Sequence, residues 1–150
     1  MTKKKIKNKS RISKFKFLAH TADIKFQAFG KKIEEVFENS SLALFKTIYD
    51  KKIKETKKFK IKASGNDLEG LLENFLEQFL ILFDSENFLP SQIRNLKLDK
   101  KKFEITCEVL GDSAEKYKLS THIKAITYNE MFVKFDSKKK IWISQVVLDV

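Results

Sequence analysis

An apolar stripe of unusual breadth runs through Leu68, Leu71, Leu72, Phe75, Leu76, Phe79, Leu80 and Phe83. The three- and four-residue spacing is that of an α-helix. A stripe this wide belongs to a helix at the centre of a core. Ser64-Gly65-Asn66-Asp67 supplies the turn and cap before it, so the spacing predicts a helix from Asp67 to about Asp84. Its acids Asp67, Glu69, Glu73 and Glu77 are expected on the wet face.

A second helical period runs through Ile33, Val36, Phe37, Ser40, Leu44 and Ile48, with Glu34, Glu35 and Glu38 near the start, where acids suit the helix dipole. This predicts a helix over 32–49. Elsewhere the period is two. Phe15-Lys16-Phe17, Ile24–Phe29 and Phe59-Lys60-Ile61-Lys62-Ala63 alternate as strands do. After Pro90 alternation returns in Ile93, Leu96 and Leu98, then in Phe103, Ile105, Cys107 and Val109, with Asp99–Lys102 as a hairpin tip. Ile123–Tyr128, Met131–Phe135 and Ile141–Leu148 complete the order, with Ser137–Lys140 as another turn. Strands outnumber helices and adjoin in hairpins. The expected class is α+β, with a mainly antiparallel sheet and two amphipathic helices.

The 150 residues fit one domain with a real core, since 42% are hydrophobic and 14 are Phe. No apolar run reaches the ~20 residues of a membrane span. Basic residues at the N-terminus lack the apolar segment of a secretory signal. A single Cys107 precludes an intramolecular disulfide and suits a reducing compartment. A cytoplasmic location is therefore expected. The net charge of +11 is concentrated at the start, where Met1–Lys14 carries seven positive charges. This stretch reads as a disordered basic tail, 1–14, ahead of a single domain, 15–150. The tail is either a solvated extension or an RNA contact, and the latter would make the chain an RNA-binding module or chaperone acting through it. The charge is nearly all Lys, which lacks the planar fork of Arg used for base readout.

Polar chemistry concentrates in His20-Thr21-Ala22-Asp23, between two strands able to brace it. His20 is either a ligand or base, or a ring that fixes the turn by bonding to loop backbone. The chain closes on Leu148-Asp149-Val150 with a strand running to its end. If Asp149 and the Val150 carboxylate lie near Asp23, three hard oxygen donors meet, a set that suits Ca²⁺, Mg²⁺ or Mn²⁺. Otherwise Asp23 is a surface loop acid beside a solvated chain end. Lys124-Ala125-Ile126-Thr127-Tyr128 either offers Lys124 to a phosphate or carboxylate or is a half-exposed strand. Cys107 reads as a buried small hydrophobe, and neither it nor His122 has a partner at zinc-like or catalytic spacing. Four scattered glycines make no phosphate loop.

Phe17–Ile24 resembles the opening signature of the archease family. Val36–Asn39 with Leu42–Phe45, Asp67–Leu72 with Leu80–Asp84, Ile123–Tyr128 and Leu148–Val150 are similar to that family's later blocks. The resemblance covers residues 15–150 in order. It implies an archease-like fold and an accessory protein rather than an enzyme: an activator of the RtcB-type RNA ligase that joins tRNA halves. Such activators promote guanylylation of the ligase's active-site histidine and multiple turnover, and they bind a divalent metal, seen as calcium. By motif, Asp23, Asp149 and Val150 would be the metal ligands, the last through its terminal carboxylate. Lys124 matches a position implicated in activation, and His20 stands in the signature as a further activation or partner contact. A tRNA contact is also expected. Asn129 stands where many members have His, and Asn74-Phe75 where a Trp is common.

Overall fold

A computed structural model of the chain describes residues 13–150. The expected tail therefore lies outside the described residues, apart from the exposed Ser13 and Lys14. Strands β1 (Phe15–Leu18) and β2 (Ile24–Gly30) lead into helix α1 (Ile33–Ile48). Strand β3 (Lys57–Ser64) leads into α2 (Leu68–Glu86). Then follow β4 (Phe88–Asp99), β5 (Glu104–Ser113), one 3₁₀ turn (Ala114–Lys116), β6 (Ala125–Asp136) and β7 (Ile141–Asp149). Two antiparallel sheets result, in orders β1-β2-β7-β6 and β3-β5-β4. The class is α+β, as the sequence indicates.

Both helices are shared between the sheets: α1 packs on β2, β7 and β4, and α2 on β3, β4 and β6. Their meeting line is aromatic. Phe37 lies against Phe75 at 6.0 Å, and Phe45 meets Phe79 edge-on at 4.9 Å. All four rings are buried, each stabilising the fold by about 1.5–3 kcal/mol through burial alone. The few polar groups in this core satisfy one another. Ser40 Oγ donates to the carbonyl of Val36, which leaves Ser144 Oγ on β7 as donor to Ser40, both contacts at 2.7 Å. That pair ties α1 to the centre of the first sheet. The central helix starts where its cap predicts, with Asp67 Oδ1 accepting from Gly70 N at 2.7 Å, and closes on Asn87 in the left-handed region (φ 51°).

The structure corrects two strand boundaries. Alternation does not wait for Pro90, because β4 begins at Phe88 with Pro90 inside it. A strand tolerates proline there because β4 is a sheet edge, and a register shift between Pro90 and Gln92 absorbs the missing N–H. The opposing Gly111 approaches so closely that a Cβ would lie 2.0 Å from the Leu89 carbonyl oxygen. The second correction concerns Ile123–Tyr128 and Met131–Phe135, which form one strand, β6. Its pairing with β7 jumps from Thr127↔Val147 to Phe132↔Gln145, so Tyr128–Met131 form a wide bulge opposite Val146.

One buried charge organises the second sheet's rim. Asp112 is fully buried and accepts from Thr56 Oγ1 (2.6 Å), Tyr117 OH (2.8 Å) and Ser113 N (2.8 Å), with Lys116 Nζ at 3.4 Å. The Thr56 bond first, then that of Tyr117, holds its carboxyl far below the usual carboxylate range. A group with a depressed folded pKa stabilises the fold above its unfolded value, about 3.9. That contribution is lost as pH falls below it. Asp112→Asn should therefore lower the urea midpoint at pH 7, and the gap to the parent protein should shrink at pH 3. Equal gaps at both values would refute this role. In the core, Phe75→Ala should cost about 3–5 kcal/mol in urea unfolding, the range for emptying a buried aromatic site.

Candidate functional site

The site begins as a consequence of strand register. Ile24 pairs with Leu148 across β2–β7, so Asp23, just before β2, and Asp149, at the end of β7, lie at the same end of the sheet. On the other side of β7, Ala125 pairs with Asp149, which sets Lys124 beside Val150, and Lys124 N donates to the Asp149 carbonyl at 2.8 Å. Residues from three distant parts of the chain thus share one end of the first sheet. Lys124 is exposed there, while Asp23, Asp149 and Val150 are half-buried.

The two faces of this sheet differ. Val146 and Leu148 are buried on the side where Ser144 meets α1. Gln145, Val147 and Asp149 alternate onto the outer side, as do their partners Gln27 and Lys25 and, by the same alternation, Asp23. The bulge of β6 lies over that outer side. Glu130, at its apex, has φ 57°, a left-handed conformation uncommon for a non-glycine residue. Its carboxylate holds His20 Nε2 through Oε2 and Lys25 Nζ through Oε1, each at 3.1 Å. Its carbonyl accepts from Gln145 Nε2 at 2.8 Å, and Gln27 Nε2 donates to Gln145 Oε1 at 2.9 Å. The hydrogen bond from His20, then that from Lys25, lowers the Glu130 pKa, so the carboxylate is the resting form.

This network revises the structural reading of His20. The ring does fix the turn, but through a side chain 110 positions away rather than through loop backbone. Donation from Nε2 leaves Nδ1 as an acceptor, and that atom is buried without a partner among the described residues. Glu130 is the residue that sequence reasoning missed. It follows Asn129 in a stretch with no periodicity to mark it, and only the length of the bulge brings it back to His20. The wet-face expectation for α2 also needs amendment. Asp67 is its cap, and half-buried Glu69 accepts from Val133 N at 2.9 Å, stitching the helix to β6 just past the bulge.

Other candidates play no part at this end of the sheet. Cys107 is buried, and burial foremost, then Glu108 and Glu38, pushes its thiol up to about 12, so it stays protonated. His122 lines a shallow cleft with Leu80 and Phe83.

A divalent metal is implied by the resemblance, and the donor chemistry here can be tested against it. Among the described residues, neither Asp23 nor Asp149 is held by a salt bridge. Carboxylates brought close together without a counter-charge repel each other, and a cation between them relieves that repulsion. No three His, Cys, Asp or Glu side chains converge among the described residues, so two side-chain carboxylates alone do not make a site. A terminal carboxylate at Val150 would be the third oxygen donor the resemblance implies. The set fits a hard cation on this condition.

Comparison with known proteins shows the family and the fold. Residues 15–150 match the model of the Archease protein family (MTH1598/TM1083). The chain is 40% identical over 149 residues to protein archease of Methanosarcina barkeri, covering 94% of this chain and 99% of that one. It is 34% identical to protein archease of Sulfurisphaera tokodaii, with 93% and 100% covered. It is also 33% identical to the protein archease-like of Drosophila melanogaster, with 91% and 90% covered. The solution structure of Methanobacterium thermoautotrophicum protein 1598 superimposes with a TM-score of 0.78 at 28% identity, over 91% of this chain and 99% of that one. Family match, near-full-length relatives and a shared architecture together establish that the chain belongs to the archease family.

Proposed function

We propose that this protein is an accessory activator of an RtcB-type RNA ligase in tRNA splicing, and is not itself the catalyst. It promotes guanylylation of the ligase and its multiple turnover from the end of the first sheet that carries Asp23, Asp149 and Val150. The observation that supports this reading is the pairing of β2 with β7, which ends at Ile24↔Leu148 and so leaves Asp23 and Asp149, the residues next to that pair, at the same end of the sheet. Asp23, Asp149 and the Val150 terminal carboxylate would hold a divalent cation, Ca²⁺ foremost, with Mg²⁺ or Mn²⁺ as alternatives. A bound cation supplies charge neutralisation and positioning for phosphate oxygens.

The chain's own residues divide the remaining work. Lys124, exposed beside Val150, offers a positive charge to a phosphate or to an acid of the ligase. His20, anchored by Glu130, holds the loop before Asp23 and stands at the rim as a partner contact. Glu130 in turn is committed to His20 and Lys25, which leaves Asp23 free of the nearest cation. A cytoplasmic location belongs to the same proposal. Among the described residues, no helix is long and apolar enough to cross a membrane.

Two experiments test it. With RNA in excess over ligase, Asp23→Ala or Asp149→Ala should stop ligation near a single turnover, whereas full turnover by either variant would refute the metal-site role. Calorimetric titration with Ca²⁺ should show affinity weakened about tenfold or more when residues are appended after Val150, because ligand charge count sets affinity at such sites. Unchanged affinity would remove Val150 from the ligand set.

A further inference from the structure

A groove of about 690 Å³ lies at the opposite end of β1 from the His20–Asp23 loop. Five lysines line it: Lys14, Lys46, Lys51, Lys52 and Lys54. Its floor includes Phe15, Tyr49, Ile53 and Pro90. Only two acids share it, Asp50 and Glu55, and Glu55 already accepts from Ser91 Oγ (3.1 Å) and Gln92 Nε2 (2.6 Å). Among the described residues, none of the five lysines is in a salt bridge. Lys46 sits in the last turn of α1, where it answers the helix's partial negative charge. The other four face no such demand, and all four are exposed.

We propose that this groove binds single-stranded RNA. A row of unpaired ammonium groups attracts a polyanion, and among polyanions the floor discriminates. Phe15 and Tyr49, half-buried and packed on the core, line the same groove as the lysines. Cations that track a backbone, beside aromatic rings that take base faces, are the combination used for single strands. An acidic peptide would use the lysines and leave the rings idle. Lysine without arginine favours contact that is indifferent to sequence, since an ammonium is a point charge without the bidentate fork. Lys14, at the first strand's start, is one of the groove's lining residues. Phe29 N donates to the Lys14 carbonyl at 2.9 Å, which fixes that residue to the sheet. The inference does not rest on the metal reading, because Ala28, opposite Phe15, is five residues along β2 from Asp23, roughly 17 Å.

The test uses the full chain and a fluorescent oligouridylate of roughly twelve nucleotides, within the site sizes typical of single-strand binders. Binding should weaken with salt. The triple variant Lys51→Gln/Lys52→Gln/Lys54→Gln should bind at least tenfold more weakly at low salt. Its slope of log affinity against log salt should be shallower by about 2, since each phosphate left without its lysine removes about 0.7 from the slope. Calcium affinity and thermal unfolding should stay at parent values. In the parent protein, photocrosslinking with 4-thiouridine should map to Phe15 or Tyr49. The inference is overturned if the triple variant binds RNA like the parent or if crosslinks fall only outside the groove. It is equally overturned if polyglutamate of equal charge competes as well as RNA, since the surface would then suit an acidic protein.

Discussion

Everything at the candidate site hangs on the ladder between β2 and β7. Seven residue pairs, Ile24↔Leu148 through Gly30↔Trp142, join segments more than a hundred positions apart. Closing so large a loop is entropically costly and makes formation of the first sheet a late, non-local event. Its register is nonetheless tightly specified. A slip of one residue would turn either Phe26 and Ala28 or Val146 and Leu148, all fully buried, to the outer face. The same slip would separate Asp23 from Asp149. The buried alternation that fixes the core therefore also fixes which strand ends, and so which acids, share that end of the sheet.

The helices hold that sheet to its neighbour. Phe37, Phe45, Phe75 and Phe79 join α1 to α2 along a seam that touches both sheets, while Ser40 and Ser144 fix where α1 rests on β7. The site needs little rigidity of its own, because two strands ending side by side are already placed by the core beneath them. What the site adds is the bulge. Tyr128–Met131 leave the ladder and return, and the excursion lets Glu130 clamp His20 and Lys25 on the outer face. Glu69 receives the backbone at Val133, where the strand rejoins its register. A left-handed Glu130 is strained locally, and its contacts with His20 and Lys25 together with the Gln145 bond offset that strain.

Period and punctuation made much of this legible in the sequence. Both helices, the Asp67 cap and the two hairpin tips follow from local chemistry. At the tips, Asp99 and Asp136 each accept from two backbone N–H groups of the turn they open. Asp23 and Asp149 also stood out, as acids at the ends of strands. What escaped was decided by neighbours distant in sequence. Pro90 sits in a strand because β4 turned out to be an edge. Glu69 is a helix acid whose partner is a backbone N–H 64 positions away, and Asp112 looks like any polar residue near a strand end until Thr56 and Tyr117 close over it. Glu130 and the groove lysines belong to the same class, since no spacing rule marks a bulge apex or says which lysines converge.

Charge is segregated along the first sheet, and this bears on how the two ends act. Asp23 and Asp149 lie at one end with Lys124 beside them, while five lysines gather where β1 begins, beyond the far pairing Phe15↔Ala28. The separation exceeds the Debye length of about 8 Å at physiological salt, so neither end strongly perturbs the other. Had the lysines lain beside Asp23, they would have neutralised the carboxylates and competed with any cation. Glu130 performs the same exclusion at close range by engaging Lys25, the cation nearest Asp23 in sequence. A bulge that looks like a local irregularity thus gives Lys25 a partner of its own, and the strand order keeps the basic groove at the other end of the sheet.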